Sequence, residues 1–185
     1  ENARRVGERG ETGAQATLPC RLMLTVNYER LLVAEEGYVG PVDWPSVEAP
    51  LAVAVPGTTH LPGAEWQLIA QLISPAQLPG GALHSGERWQ AFLDGNVAGR
   101  DLILRPRRPK DSFQPLGMGG HSQRLQAFMI KAKIPVAHRD RVPLLVVGER
   151  ILWVCGWRED ERAKVTESTP SILWLRFVRD SQATG

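Results

Sequence analysis

Within six residues the sequence places Arg105, Arg107, Arg108 and Lys110, with Pro106 and Pro109 between them. Proline fixes its own φ and pushes the preceding residue away from the helical region, so the segment reads as extended backbone carrying long cations. Such a segment can follow nucleic-acid phosphates and supply affinity that is independent of base sequence. Shortly after comes Leu116-Gly117-Met118-Gly119-Gly120. Gly119 and Gly120 tolerate positive φ and let backbone N–H groups approach a phosphate oxygen. The loop is read as feeding a helix directly, whose first turn would add free N–H groups. A tight turn between strand and helix explains the same glycines, and no Lys-Ser/Thr follows them, so this is not a Walker-type loop. Arg124 and Lys131, seven apart, would project near one another from that helix. Lys133 closes its last turn, where the helix dipole by itself favours a cation. Arg139 and Arg141 bracket Asp140, which reads as the ion-pair partner of one of them.

Charge sharpens this pattern. Residues 100–164 hold 14 Lys/Arg against 7 Asp/Glu, whereas residues 1–99 hold 6 against 11, so a net charge of +2 conceals a basic C-terminal half. A polyanionic partner and a merely solvated basic face both fit that asymmetry.

Other chemistry finds less support. His60, His84, His121 and His138 show no metal-ligand spacing with each other or with Cys20 and Cys155. A Cys155–His121 nucleophile pair is conceivable, but an apolar strand around Cys155 raises a thiol's pKa and favours inertness. Two cysteines so far apart read as buried thiols in a reducing compartment. Glu159-Asp160-Glu161, flanked by Arg158 and Arg162, reads as a solvated ion-pair face rather than a metal site. No metal and no catalytic residue is assigned.

At 185 residues with 43% apolar content, the chain can bury a sizeable core. It has no apolar run long enough to span a membrane and no secretory signal pattern, which predicts a cytoplasmic protein. The missing initiator Met favours an excised fragment. The expected organisation is a flexible lead-in (1–16), a β-rich first part (17–96), a second part (97–178) and a polar tail (179–185). Strands are expected at Arg21–Val26 and Tyr28–Val33, with Asn27 as a bulge or bend, and at Leu51–Val55, Trp66–Ile73 and Arg88–Leu93. Others are expected at Asp101–Arg105, Leu144–Val147, Arg150–Cys155 and Ile172–Val178. Glu35–Pro50 and Pro79–Gly86 read as loops. Leu125, Phe128, Met129 and Ala132 make the apolar stripe of a helix over Ser122–Lys133, with Ser122 as N-cap and Ile134-Pro135 at its end. The fold class is therefore α+β, mostly strands in a sandwich-like arrangement with one principal helix.

The landmarks Arg107-Arg108-Pro109, Asp111, Phe113, Pro115-Leu116-Gly117 and Leu125 through Phe128 occur in order. They are followed by Ala132-Lys133-Ile134-Pro135, Arg139-Asp140-Arg141, Pro143-Leu144-Leu145, Trp153, Gly156 and Asp160-Glu161-Arg162. In this the chain resembles the C-terminal region of bacterial tRNA(Ile)-lysidine synthases, closely over residues 97–165 and loosely before them. Lys110 stands where that family often has Gly, and Ser122-Gln123 where more lysines are usual. The family's enzyme joins lysine to the wobble cytidine of an isoleucine tRNA, using ATP and Mg. Its catalysis belongs to an N-terminal domain with a Ser-Gly-Gly-x-Asp-Ser loop, which this sequence lacks. The resemblance implies a tRNA-synthetase-accessory-like fold and a tRNA(Ile)-binding region on the acceptor-stem side, with the N-terminal catalytic domain as a further partner. It implies no cofactor in this chain and leaves a homodimer open. Two rival readings remain: a scaffold that docks the catalytic domain with little RNA contact, and a free-standing enzyme.

Overall fold

The computed structural model describes residues 14–26, 31–35, 44–97 and 101–179. Their strands are β1 (Gln15–Leu18), β2 (Leu22–Val26), β3 (Leu31–Glu35), β4 (Leu51–Ala52), β5 (Gly57–His60), β6 (Trp66–Ile73) and β7 (Gln90–Asp94). There follow β8 (Leu102–Arg105), β9 (Ser112–Phe113), β10 (Gln123–Arg124), β11 (Leu144–Val147), β12 (Arg150–Val154), β13 (Arg158–Glu159) and β14 (Ile172–Arg179). One α-helix, α1 (Leu125–Lys131), stands among them, so the chain is mostly β with one helix, as expected. No described helix is long and apolar enough to cross a membrane.

The chain divides into two compact units: Glu1–Val42 with Met129–Arg139, and Asp43–Phe128 with Asp140–Gly185. In the first, β1, β2 and β3 form an antiparallel sheet. Gln15 and Ala16, expected in a flexible lead-in, are therefore strand; residues 1–13 of that lead-in lie outside the described residues. Val26 pairs with Leu31 across an antiparallel ladder, so the two expected strands are hairpin partners, not two stretches joined by a bulge or bend; Asn27, with residues 28–30, lies outside the described residues. Cys20, expected to be buried, is exposed. The same unit holds the end of α1. Lys133 N–H donates to Ile130 O and Ile134 N–H to Met129 O, with Lys133 at φ 56°. This is the left-handed cap that most often uses Gly, and Pro135 follows it.

The second unit is built on two antiparallel sheets, ordered β13-β12-β11-β8-β4 and β5-β6-β14-β7. Strand alternation explains their shared core. Leu68 and Ala70 of β6, Ala91 and Leu93 of β7, and Leu173, Leu175 and Phe177 of β14 join one buried cluster with Leu102, Leu104, Leu145, Leu152 and Trp153. The expected strand Trp66–Ile73 has those bounds, and β7, β8, β11, β12 and β14 fall within two residues of expectation. Leu51–Val55 shortens to two residues, while β5, β9, β10 and β13 were not expected. Residues 44–50 carry no regular element, as read, and residues 36–43 and 180–185 lie outside the described residues.

The helix departs most. It starts at Leu125, not Ser122, because Gln123 and Arg124 pair with Phe113 and Ser112 as strand β10. Residues 114–122 are thus the loop of a β9–β10 hairpin, not the entry to a helix. Leu125 and Met129 are buried as the stripe requires. Phe128 is half-buried, its ring edge-on to Phe113 with centroids 5.0 Å apart.

Candidate nucleic-acid interface

The interface begins with a buried arginine. Arg105 ends β8 on the face opposite Leu102 and Leu104, and the Pro-broken segment folds back over it. Only 1% of it is exposed. Its Nη1 and Nη2 donate to the two Asp111 carboxylate oxygens at 2.8 and 2.9 Å, and Nη1 also donates to Pro106 O at 3.0 Å. Asp111 in addition accepts the Arg108 backbone N–H at 2.7 Å. Arg105 is a correction to the expected contact set: its fork is spent on Asp111, and it shapes the segment instead of meeting a phosphate.

That fold-back presents the other cations. Arg107, Arg108, Lys110 and Arg124 line a depression of about 560 Å³ together with Asp111 and Asp140. Arg107 Nε lies 2.5 Å from Asp140, and Arg108 Nη1 lies 3.3 Å from Glu149, with both acidic partners largely exposed. Asp140 therefore serves Arg107, not its neighbours Arg139 and Arg141. Exposed pairs of this kind contribute about 0–1 kcal/mol, so a phosphate can displace the carboxylate at little cost. Lys110 makes no ion pair among the described residues. Arg124 donates through Nη1 to Lys110 O at 3.1 Å, which fixes its stem without neutralising its charge. Lys110 sits at φ 70°, the conformation that favours glycine.

The remaining expected residues are distributed differently. Arg141 pairs with Glu48 at 3.2 Å and lies outside the lining of the depression. Arg139 donates through Nε to Ile134 O at 2.9 Å; it belongs to the first unit, as do Lys131 at the end of α1 and Lys133 in its cap. Gly119 and Gly120 occupy the hairpin tip at φ 60° and 78°, with open space around each. Leu125 N–H donates to Asp111 O at 2.9 Å, so the first amide of α1 is already engaged and the glycines do not lead into a free helix end.

Asp160 anchors the hairpin loop. Expected on a solvated face, it is fully buried. It accepts Gln114 N–H at 2.9 Å and three bonds from Arg162, at 3.0 Å from the backbone and 2.8 and 2.9 Å from the guanidinium. Glu161 accepts Gly117 N–H at 2.9 Å. For Asp160, burial alone would raise the pKa, but the Arg162 side chain and the Gln114 and Arg162 amides outweigh it and hold the carboxyl below its usual range. Asp111 follows the same logic: burial opposes, and Arg105 with the Arg108 amide prevails. A depressed folded-state pKa stabilises fully above the unfolded value and is lost as pH falls through the folded one. The melting temperature should therefore hold down to about pH 5 and fall progressively below about pH 4, the ordinary carboxylate value. Asp160→Asn should flatten that fall; an unaltered acid limb would mean that other groups set it.

Burial pushes the Cys155 thiol well above its ordinary value, and its sulfur lies 3.9 Å from Trp153 O inside the core, an inert setting. Sequence reasoning missed an aromatic cluster elsewhere in this unit. The Arg88 guanidinium carbon lies 4.3, 4.7 and 5.0 Å from the ring centroids of Trp157, Trp89 and Trp44. Six tryptophans in 185 residues were the available signal, but their spacing does not tell which share a cluster.

Comparisons with known proteins agree with this architecture. Residues 102–174 match the model of the TilS substrate C-terminal domain. A tRNA(Ile)-lysidine synthase of Dehalococcoides mccartyi is 37% identical over 165 residues, covering 89% of this chain and 34% of that protein. One from Symbiobacterium thermophilum is 34% identical over 169 residues, covering 91% and 34%. The chain thus spans about a third of the length of these relatives. A crystal structure of a TilS C-terminal domain superposes with a TM-score of 0.53 at 25% identity, covering 67% of this chain and 91% of that one. Residues 102–174 thus match the family of the TilS substrate C-terminal domain, and the fold they help build is that of a TilS C-terminal domain.

Proposed function

We propose that this chain is the tRNA-binding part of a longer tRNA(Ile)-lysidine synthase, holding a stem of tRNA(Ile), on the acceptor side, through its phosphates. In this reading lysine is ligated to the wobble cytidine by another part of that protein in the cytoplasm, with ATP and Mg. The Ser-Gly-Gly-x-Asp-Ser loop of that catalytic part is absent from this sequence. Among the described residues no group of three His, Cys, Asp or Glu side chains could hold a metal. The observation that carries the proposal is the depression in which Arg107, Arg108, Lys110 and Arg124 converge around one hairpin base. A duplex presents phosphates at regular intervals and is recognised largely by shape and backbone.

Each true phosphate contact should contribute about 0.7–0.9 to the slope of log affinity against log salt. Arg108→Gln and Arg124→Gln should each reduce the tRNA-binding slope by about that amount, with unchanged melting temperature. Lys110→Gly should do the same while raising stability by about 1 kcal/mol, since it relieves a left-handed non-glycine backbone. The rival reading, a scaffold that docks the catalytic part, is favoured by the two ion pairs that already occupy Arg107 and Arg108. Unchanged slopes in all three folded variants would establish it instead.

A further inference from the structure

A second concavity in the same unit, of about 770 Å³, lies between residues 82–92 and 153–165. Its lining includes Arg88, Phe92, Leu116, Trp157, Arg158 and Lys164, together with Glu87 and Glu159. Two features make it more than a crease. Arg88 is exposed, yet its guanidinium is held over three indoles and oriented by an Nε–H···O bond to Gly156 at 3.2 Å. Its two terminal nitrogens have no partner among the described residues, and burial, which lowers its pKa, leaves an arginine charged all the same. The plate is therefore preoriented with donors to spare. Arg158 on β13 is exposed and makes no ion pair among the described residues, whereas Lys164 is paired with Glu161.

A flat cation on an aromatic bed is a surface on which a nucleobase stacks, and unpaired bases are the ones free to do so. The two acidic groups in the lining argue against a duplex track, where backbone charge is densest. The volume suits a nucleotide or two rather than a helix. Continuity supplies the rest. Leu116, in the lining, belongs to the β9–β10 hairpin whose base carries Lys110 and Arg124, so a strand leaving a stem at that base can pass along the hairpin into the concavity.

We propose that this groove binds unpaired nucleotides next to the stem, the base stacking against Arg88 and Trp157 and the phosphate meeting Arg158. The proposal rests on the stem-binding reading above, and its test separates the two. Affinity is measured for an RNA hairpin with a blunt end and for the same hairpin carrying four unpaired 3′ nucleotides, alongside tryptophan fluorescence with the isolated tetranucleotide. The wild-type protein should bind the extended hairpin about ten-fold more tightly, as expected for stacking of one to two bases. It should also show quenching by the tetranucleotide. Arg158→Gln should bring the extended hairpin to within about two-fold of the blunt one, whose affinity stays unchanged, since phosphate contact and stacking act together. Arg88→Lys, which keeps the charge but loses the plate, should abolish the quenching. Equal wild-type affinities without quenching, or an Arg158→Gln loss shared by both hairpins, would overturn the groove assignment. If neither hairpin binds in a salt-dependent way while the tetranucleotide still quenches and responds to Arg158→Gln, the stem reading fails and the groove stands.

Discussion

Arg105→Met should lower unfolding stability by about 3–5 kcal/mol, the range for removing one partner of a buried ion pair. Arg105 is 1% exposed, and the Asp111 side chain that faces it is 9% exposed. The methionine restores apolar volume but leaves a carboxylate whose remaining donor is the Arg108 amide. Most of the loss is therefore the cost of a stranded charge, not the worth of the pair. Two comparisons check this origin. The double replacement with Asp111→Leu should recover a large part of the loss, because a well-packed apolar pair often matches a buried ionic one. The deficit should also shrink as pH falls below about 4, where Asp111 becomes neutral in the variant before it does so in the wild type. Urea unfolding at pH 7 and pH 3 reads both effects. A loss below about 1 kcal/mol at pH 7 would place this pair with solvated surface bridges and return Arg105 to the phosphate surface.

Gly156→Ala should cost about 2–5 kcal/mol, from two sources that add at one position. Its φ of 81° is a conformation in which a side chain is strained. A Cβ built there would also lie 2.3 Å from Cζ3 of Trp89 and 2.8 Å from two further ring atoms, far inside contact distance. Trp89 cannot swing clear easily. It packs edge-on to Trp157 and Phe177, with centroids at 6.0 and 6.4 Å, and lies under Arg88. The variant should lose melting temperature and show an altered tryptophan emission spectrum. Full stability with native emission would mean that the indole cluster is loose, and would weaken the preoriented plate on which the nucleotide groove depends.

Much of the second unit was legible because its long strands carry their own signal. In β6, Leu68 and Ala70 are buried while their neighbours are not, and Pro62-Gly63 and Ser74-Pro75 bound the run. The β11–β12 hairpin announced itself through Gly148-Glu149. Strands of two residues, such as β9, β10 and β13, have no periodicity to read, and that is where the helix start was misplaced. Gln123 and Arg124 would suit a helix on propensity, but Phe113 and Ser112 offer ladder partners ten or more residues away. The cations show the same limit. Residue type marks a charge but not its burial, so Arg105 and Arg107 looked alike. Asp140 was matched to its sequence neighbours although its partner lies 33 positions away. Asp160 was hidden for the same reason, its donors coming from Gln114 as well as from nearby Arg162.

The position of β14 has a consequence for how the chain is made. It is an interior strand of its sheet, between β6 and β7, yet it is the last of the described strands in chain order and pairs with residues roughly eighty to a hundred and ten positions earlier. On the ribosome, β5-β6 and β7 must wait as separate pieces, the backbone N–H and C=O groups of their facing edges unpaired, until Ile172–Arg179 emerges and joins them. A nascent chain that stops at residue 174, the limit of the family match, carries three residues of this strand and lacks the Phe177 that β14 sends into the core. The recognisable stretch is therefore not the folding unit. Loss of β14 would part β5-β6 from β7 instead of trimming the rim of the sheet.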